Sequence, residues 1–325
     1  MKKFLAKNWF MLGMPVAVAL AWVLPEAGAD GGWLKAEVTT KLAVAVVFLV
    51  QGITLPAQAL KDGASQGRLH VGVQLFCFLV IPLVGLALDQ IVGGMMAPDL
   101  RLGFLFLCVL PSTIVMAVVL ATVAGGNVAA AIFNAVLSNV LGVFLTPIWI
   151  AAILASGGGN NDQSVGEVLR QVSLLLLVPL AIGQALRRVG LKAWADQHKK
   201  RLSNFSNLTI LLIVYAAFCN SVQANIWSQH GWLTIGIAGI GVVVLMALAL
   251  GLAIGAAKLL RLAPPEGIVM VISGAQKSLA TGVPLAKVIF GTHPGLGLIL
   301  LPIMIYHPLQ LFICGWLAAR HAKHQ

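Results

Sequence analysis

Long apolar runs separated by short polar segments repeat along the whole chain. Each run is about as long as a helix that crosses the hydrocarbon core of a bilayer. The first run follows Lys2, Lys3 and Lys7, but its length and the runs after it favour an uncleaved span over a signal peptide. The pattern predicts an all-α integral membrane protein with ten transmembrane helices, at about residues 9–25, 40–60, 69–93, 101–124, 127–155, 166–188, 204–225, 231–261, 265–290 and 295–319.

Composition supports a membrane protein. Hydrophobic residues make up 59% of the 325 residues and charged residues only 10%, whereas a soluble domain is about one quarter charged. The net charge of +11 does not indicate nucleic-acid binding, because the basic residues stand at the ends of apolar runs, where they meet lipid headgroups. We expect the lipid bilayer as a partner and no nucleic acid, and the sequence specifies no oligomeric state.

Loop charges predict an orientation. With a cytoplasmic N-terminus and ten alternating spans, basic side chains collect in the cytoplasm and acidic ones outside. Both termini are then cytoplasmic, we expect the cell inner (plasma) membrane as the location, and the most basic segment is a loop at 187–201. The cytoplasmic basic residues are Lys2, Lys3, Lys7, Lys61, Arg68, Arg187, Arg188, Lys192, Lys199, Lys200, Arg201, Lys258, Arg261, Arg320 and Lys323. The outer acidic residues are Glu26, Asp30, Glu37, Asp89, Asp99, Asp162 and Glu167.

The same count divides the chain into two halves of five spans. The polar stretch Ser156–Gln163 separates the fifth span from the sixth, which gives a first half at 1–160 and a second at 161–325. Because five is an odd number, the second half enters the membrane from the opposite side. This arrangement is typical of transporters that are built from inverted-topology repeats.

Helices four and nine occupy corresponding positions in the two halves, and both contain residues that interrupt a helix. Helix four contains Leu110–Thr113 with Pro111, and helix nine contains Ser273–Ser278, followed by Thr281–Pro284. Matched interrupted helices point to a transporter's binding site, since their ends offer N–H groups to anions and carbonyls to cations. We therefore expect substrate or ion binding at Ser112, Thr113, Ser273, Gln276, Lys277, Ser278 and Thr281.

Lys277 stands near the centre of the ninth span, and all ten acidic residues fall in loops or at span ends. A cation at membrane depth costs about 2.5–3.5 kcal/mol on insertion scales and usually has a function. Three roles are open for it: binding an anionic substrate, standing in for a bound cation, or resting on unwound carbonyls as a structural plug. Lys287 is nearer the end of the span, and we expect its ammonium to reach the interface.

Further polar residues lie at membrane depth in helices three, five and ten. Gln74, Asn134 and Ser138 are candidates for substrate or ion binding, and Asn139 lies beside them on helix five, although each of the four can equally hydrogen-bond one helix to another. His307 in helix ten fits packing better than a proton relay.

Several of these residues lie in stretches that resemble the bile acid:sodium symporter (SBF) superfamily. The resemblance is closest to the divergent SBF-like bacterial branch, which is related to the seventh-member carrier of vertebrates. It extends over most of the chain, and the last stretch is the most specific. The stretches are Gln51–Leu55, Leu69-His70 with Gln74, Gly125–Asn134, Thr146-Pro147 and Gln276–Lys287.

The resemblance implies a core domain of helices 3–5 and 8–10, at 69–155 and 231–319, in which helices four and nine cross. It implies a panel domain of helices 1, 2, 6 and 7, at 1–60 and 166–225, and alternating-access transport of an organic anion with Na⁺ as coupling ion. Gln74 and Gln276 match two sodium ligands of the family. The sodium site is incomplete, because its other positions are apolar here: Ile272, Val115, Met116, Ala131 and Ala135.

Three classes of function remain open. The first is a secondary carrier, coupled to sodium, coupled to protons or uncoupled, and the second is a membrane regulator that retains the fold without transport. The third, an intramembrane enzyme with a Ser-Lys dyad, is disfavoured because Lys277 and Ser278 are helix neighbours that do not face each other. We expect no enzymatic activity and no cofactor apart from a coupling Na⁺.

Overall fold

A computed structural model describes residues 9–55, 65–156, 170, 173–291 and 293–322. This part of the chain is helical and contains no β-strand. The helices are α1 (Trp9–Val23), α2 (Ala36–Thr54), α3 (Gly67–Leu75, Phe76–Val80 and Ile81–Val92 in succession), α4a (Pro98–Val109), α4b (Val115–Val123), α5 (Val128–Ser156), α6 (Val178–Leu186), α7 (Lys199–Gln223), α8 (Leu233–Leu259), α9a (Pro264–Ala275), α9b (Leu279–Phe290) and α10 (Leu296–Ala322).

Eight helical stretches within the described residues are long and apolar enough to cross a membrane. They confirm the prediction of a multi-pass, all-α membrane protein. Two further predicted spans are not among the eight: α1 has only 15 residues, and the fourth span is divided into the shorter helices α4a and α4b. The count of ten therefore stays a prediction. The eight stretches are Ala36–Thr54, Gly67–Met95, Val128–Ala155, Leu174–Gln197, Lys199–Gln223, Leu233–Leu259, Pro264–Phe290 and Leu296–Ala322.

The prediction of a basic loop at 187–201 is wrong. Arg187–Leu191 forms a π-helical turn that bends at Gly190 (φ 133°), Lys192–Gln197 is α-helical, and α7 begins at Lys199. Lys and Arg are good helix formers, so a run of them ends an apolar pattern without ending a helix. Arg187 is buried, and its guanidinium donates to the carbonyl of Ile53 (2.9 Å) and pairs with Asp196 (2.8 Å).

Some predicted features lie outside the described residues. They are the linker Ser156–Gln163, apart from Ser156 itself, and the charges of Lys2, Lys3, Lys7, Lys61, Asp162, Glu167 and Lys323.

The described residues divide into two compact units. The first has the bounds Met1–Leu55, Gly158–Gly231 and Val283–Leu300, and the second has the bounds Pro56–Gly157, Trp232–Gly282 and Leu301–Gln325. The predicted core range 231–319 includes Val283–Leu300, which the structure groups with the first unit.

Glycines bring α2 and α6 together in the first unit. A Cβ added to Gly183 would lie 2.4 Å from the carbonyl oxygen of Leu49, and one added to Gly52 would lie 2.3 Å from that of Leu180. The Nε2 of Gln184 donates to the carbonyl of Gly52 at 2.6 Å. Small residues at such a contact let two membrane helices approach backbone to backbone.

Candidate functional site

The break between α4a and α4b follows from Pro111. Proline has no N–H to continue a helix, and the residue before it favours extended backbone. Leu110 has φ −72° and ψ 149°, and the chain becomes helical again only at Val115. The α4a carbonyls near the break therefore lose their intrahelical donors, which must be replaced in a site shielded from water.

Each of the five carbonyls at this break accepts a hydrogen bond from another segment of the second unit. The donors belong to α5 or to the break between α9a and α9b, so both segments fix the interrupted helix. The pairs are Lys277 Nζ to Cys108 O (2.8 Å) and Leu110 O (2.8 Å), Thr146 Oγ1 to Val109 O (2.7 Å), Ser278 N to Pro111 O (2.8 Å), and Asn139 Nδ2 to Ser112 O (2.7 Å).

The break in α9 is held by α10. The side-chain amide of Gln310 accepts from the N–H of Lys277 (2.7 Å) and donates to its carbonyl (2.9 Å), as a neighbouring peptide group would. Tyr306 donates its hydroxyl hydrogen to the carbonyl of Ala275 at 2.6 Å. Helix α9b then begins with a side-chain cap, because the Ser278 hydroxyl accepts from the N–H of Thr281 at 3.2 Å.

The two predicted breaks are present, and they meet. Besides the Ser278–Pro111 bond, the Thr113 hydroxyl donates to the Oε1 of Gln276 at 2.6 Å. The Thr281 hydroxyl donates to the Oδ1 of Asn139 at 2.7 Å, which connects the same region to α5. Of an 18-residue apolar segment within Pro264–Phe290, 83% is buried, against 11% of the corresponding segment within Leu174–Gln197. The broken helix α9 is therefore surrounded by protein.

Lys277 is the charged residue at this meeting point, and only 1% of its surface is exposed. Its ammonium donates to the carbonyls of Cys108 and Leu110, and the carbonyl of Cys77 lies at 3.5 Å. Within the described residues it forms no ion pair with a carboxylate. Of the three roles open from the sequence, its contacts have the geometry of an ammonium that rests on unwound carbonyls.

The remaining predicted residues have three different surroundings. Ser138 lies at the α4 break, where its hydroxyl accepts from the N–H of Ser112 at 3.0 Å. Gln74 and Asn134 form a separate contact, in which the Nε2 of Gln74 lies 3.3 Å from the Oδ1 of Asn134. The Oγ of Ser273 is buried and finds no hydrogen-bond partner among the described residues.

Four residues that hold the two breaks were not among the predicted site residues. They are Asn139, Thr146, Tyr306 and Gln310. Asn139 and Thr146 donate to α4, whereas Gln310 and Tyr306 lie one helical turn apart on α10 and face α9. Polar side chains at membrane depth on an otherwise apolar helix are the signal that marks them.

That the Lys287 ammonium reaches the interface stays a prediction. The residue is 5% exposed, and its Nζ is buried without a hydrogen-bond partner among the described residues. His307 is buried, and its Nδ1 lies 3.0 Å from the Nε2 of Gln310, as expected of a packed histidine.

A cavity of about 420 Å³ lies between α8, α9a and α10 in the second unit. Its wall is mostly apolar and includes Ile272, one helical turn before the α9 break, and Cys314. Lys258 and His321 also line it and are exposed. The cavity thus combines apolar surface with basic side chains.

Comparisons with known proteins agree on one family. The sequence profile of the SBF-like CPA transporter family matches residues 8–323. PA2026 of Pseudomonas aeruginosa, whose name assigns no function, is 38% identical, and the match covers 99% of this chain and 95% of that protein. YfeH of Escherichia coli strain K12, whose name proposes a symporter, is 33% identical with coverage of 99% and 95%. Sodium/bile acid cotransporter 7 of Mus musculus is 31% identical with coverage of 94% and 90%.

Proposed function

The chain belongs to the SBF-like CPA transporter family, which is a family of transporters and not of enzymes, and on that premise we propose that it is a secondary carrier of an organic anion that works by alternating access. The meeting of two broken helices is the observation that carries the proposal. Irregular backbone at membrane depth is tolerated where it is buried in protein or lines a cavity, and such backbone is typical of transporter binding sites.

Two features favour an anion as substrate. Helices α4b and α9b both begin at the meeting point, and the N-terminus of a helix carries the equivalent of about +0.5 charge and free N–H groups. The cavity beside α9a offers apolar surface with Lys258 and His321, which suits an anion with an apolar body. Relatives named as a bile acid cotransporter and as a proposed symporter support the same class.

For the membrane arrangement, we propose that α1 and the pair α4a and α4b also cross the bilayer. The chain then has ten spans in two inverted halves, 1–160 and 161–325, and both termini lie in the cytoplasm. The loop charges support this orientation. A panel domain and a core domain would move against each other, as the family resemblance implies.

Uptake into liposomes tests the proposal. We expect the reconstituted protein to take up labelled taurocholate, or another anion from a panel of amphipathic and short organic acids, faster than protein-free liposomes. The variant Gln310→Leu should lose most of this uptake, because the peptide of Lys277 would lose both bonds that hold the α9 break. The control Gln90→Leu changes an exposed glutamine on α3 and should retain it.

A negative result would separate the carrier from the membrane regulator. If the folded protein takes up no anion of the panel in either sodium or potassium salt, the carrier proposal falls, and the regulatory alternative on the same fold takes its place.

A further inference from the structure

The carbonyl oxygens around Lys277 form a compact group of three. Two belong to Cys108 and Leu110, at the C-terminal end of α4a, and the third belongs to Cys77 in the π-helical turn Phe76–Val80 of α3. The C-terminus of a helix carries the equivalent of about −0.5 charge, so this end of α4a attracts a cation without a carboxylate. Backbone carbonyls that replace the hydration shell of an ion are also how potassium channels coordinate a monovalent cation.

The ammonium of Lys277 has three protons to donate; it donates to the carbonyls of Cys108 and Leu110 at 2.8 Å, and the carbonyl of Cys77 lies at 3.5 Å. An anionic substrate would therefore have to compete with these carbonyls for the donors on this nitrogen. The backbone is fixed as well, because Gln310 holds the Lys277 peptide in both directions. The hydrogen bonds to Gln310 therefore fix the backbone from which the Lys277 side chain reaches the carbonyls.

We propose that these three carbonyls form a binding site for a monovalent cation, and that the Lys277 ammonium fills it as a covalently attached cation. The protein then needs no sodium at this position, although relatives are named as sodium cotransporters. The transport consequence rests on the proposed carrier function, whereas the occupancy of the cation site does not.

Thermal unfolding of the purified protein in detergent tests the occupancy of the site. We compare choline, potassium, sodium and methylammonium chlorides at equal ionic strength. Wild type should unfold at the same temperature in all four salts. Lys277→Ala, which removes the ammonium and opens space, should unfold about 3 °C or more lower in choline, and at least one small cation should restore stability saturably.

Two variants separate a cation site from a simple loss of packing. Lys277→Met fills much of the same space without a charge, so added cations should not restore it. Arg68→Ala removes an exposed basic side chain of the same unit and should behave like wild type in every salt. If no small cation restores Lys277→Ala, the three carbonyls are not a cation site and the inference is overturned.

Direct binding of ²²Na⁺ to the wild-type protein covers the case in which Lys277→Ala does not fold. We expect no saturable binding, and saturable binding would overturn the inference. Taurocholate uptake then separates the two proposals. Equal uptake by wild type in sodium and potassium supports both, whereas sodium-dependent uptake retains the carrier and overturns the inference. Cation rescue of Lys277→Ala without any anion uptake supports the cation site and overturns the carrier.

Discussion

At the scale of single residues, the α4 break depends on hydrogen bonds that other segments donate to its carbonyls. Every carbonyl from Cys108 to Ser112 has a donor from another segment. A buried polar group that loses its partner costs about 1–3 kcal/mol, more than a typical hydrogen bond contributes when both partners are present. Changes at the residues that donate these bonds should therefore lower the free energy of unfolding strongly.

Asn139 is one such residue, because its side chain bonds on both sides. Asn139→Leu should leave the carbonyl of Ser112 without a donor and the hydroxyl hydrogen of Thr281 without its acceptor, and lower the free energy of unfolding by about 2–4 kcal/mol. Thermal unfolding in detergent measures this. Gln90→Leu, at an exposed position of α3, serves as the control. An Asn139→Leu protein as stable as the control would show that these bonds contribute little.

Thr113 tests the bond that joins the two breaks directly. Thr113→Val keeps the shape of the side chain but leaves the Oε1 of Gln276 without its donor, whereas Thr113→Ser keeps the hydroxyl. We expect anion uptake to fall about tenfold in the valine variant, which corresponds to about 1.4 kcal/mol in activation free energy, and to remain within about twofold of wild type in the serine variant. Loss of uptake in the serine variant with uptake retained in the valine variant would mean that the methyl group, not the hydroxyl, matters.

The sequence predicts the residues of the breaks better than their partners. Local pattern predicts the residues of the breaks, because Pro111 and a polar run at membrane depth are each visible within one span. These residues are Ser112, Thr113, Gln276, Lys277, Ser278 and Thr281. Their partners Asn139, Tyr306 and Gln310 come from other helices. Which of several polar residues faces a break depends on helix rotation and packing, and local sequence does not contain that information.

At the scale of elements, hydropathy marks where apolar runs end, but not where helices end. The two breaks coincide with Pro111 and with the polar run before Ser278, and they appear where expected. The segment 187–201 was expected to be a loop because it is charged, yet it is helical. The reason is that Lys, Arg, Ala and Leu are good helix formers, so a charged run can continue a helix.

The contact between α2 and α6 gives a test at this scale. Gly183→Ala places a Cβ 2.4 Å from the carbonyl of Leu49, so the two backbones must separate, and we expect a loss of about 1–3 kcal/mol in stability. Gly255→Ala on α8 meets nothing within 4 Å and is the matched control. Thermal unfolding of both variants measures this loss of stability. A Gly183→Ala protein that unfolds with the control would contradict the close approach of α2 and α6.

At the scale of the whole molecule, ten spans and a cytoplasmic C-terminus can be tested without knowing the substrate. A green fluorescent protein fused after Gln325 should fluoresce, and alkaline phosphatase fused at the same position should be inactive, because the C-terminus is expected in the cytoplasm. Active phosphatase with a dark fluorescent protein would contradict a cytoplasmic C-terminus, and would require an odd number of spans or the reverse orientation.

Counterflow in liposomes tests the central claim, that the protein is a carrier working by alternating access, most directly. Liposomes containing the protein are loaded with unlabelled taurocholate, or with whichever anion of the panel is taken up, and entry of the labelled anion is followed without an ion gradient. A carrier that exposes its site to one side at a time should show entry several times faster than in liposomes loaded with buffer. Entry at the same rate in both would contradict alternating access.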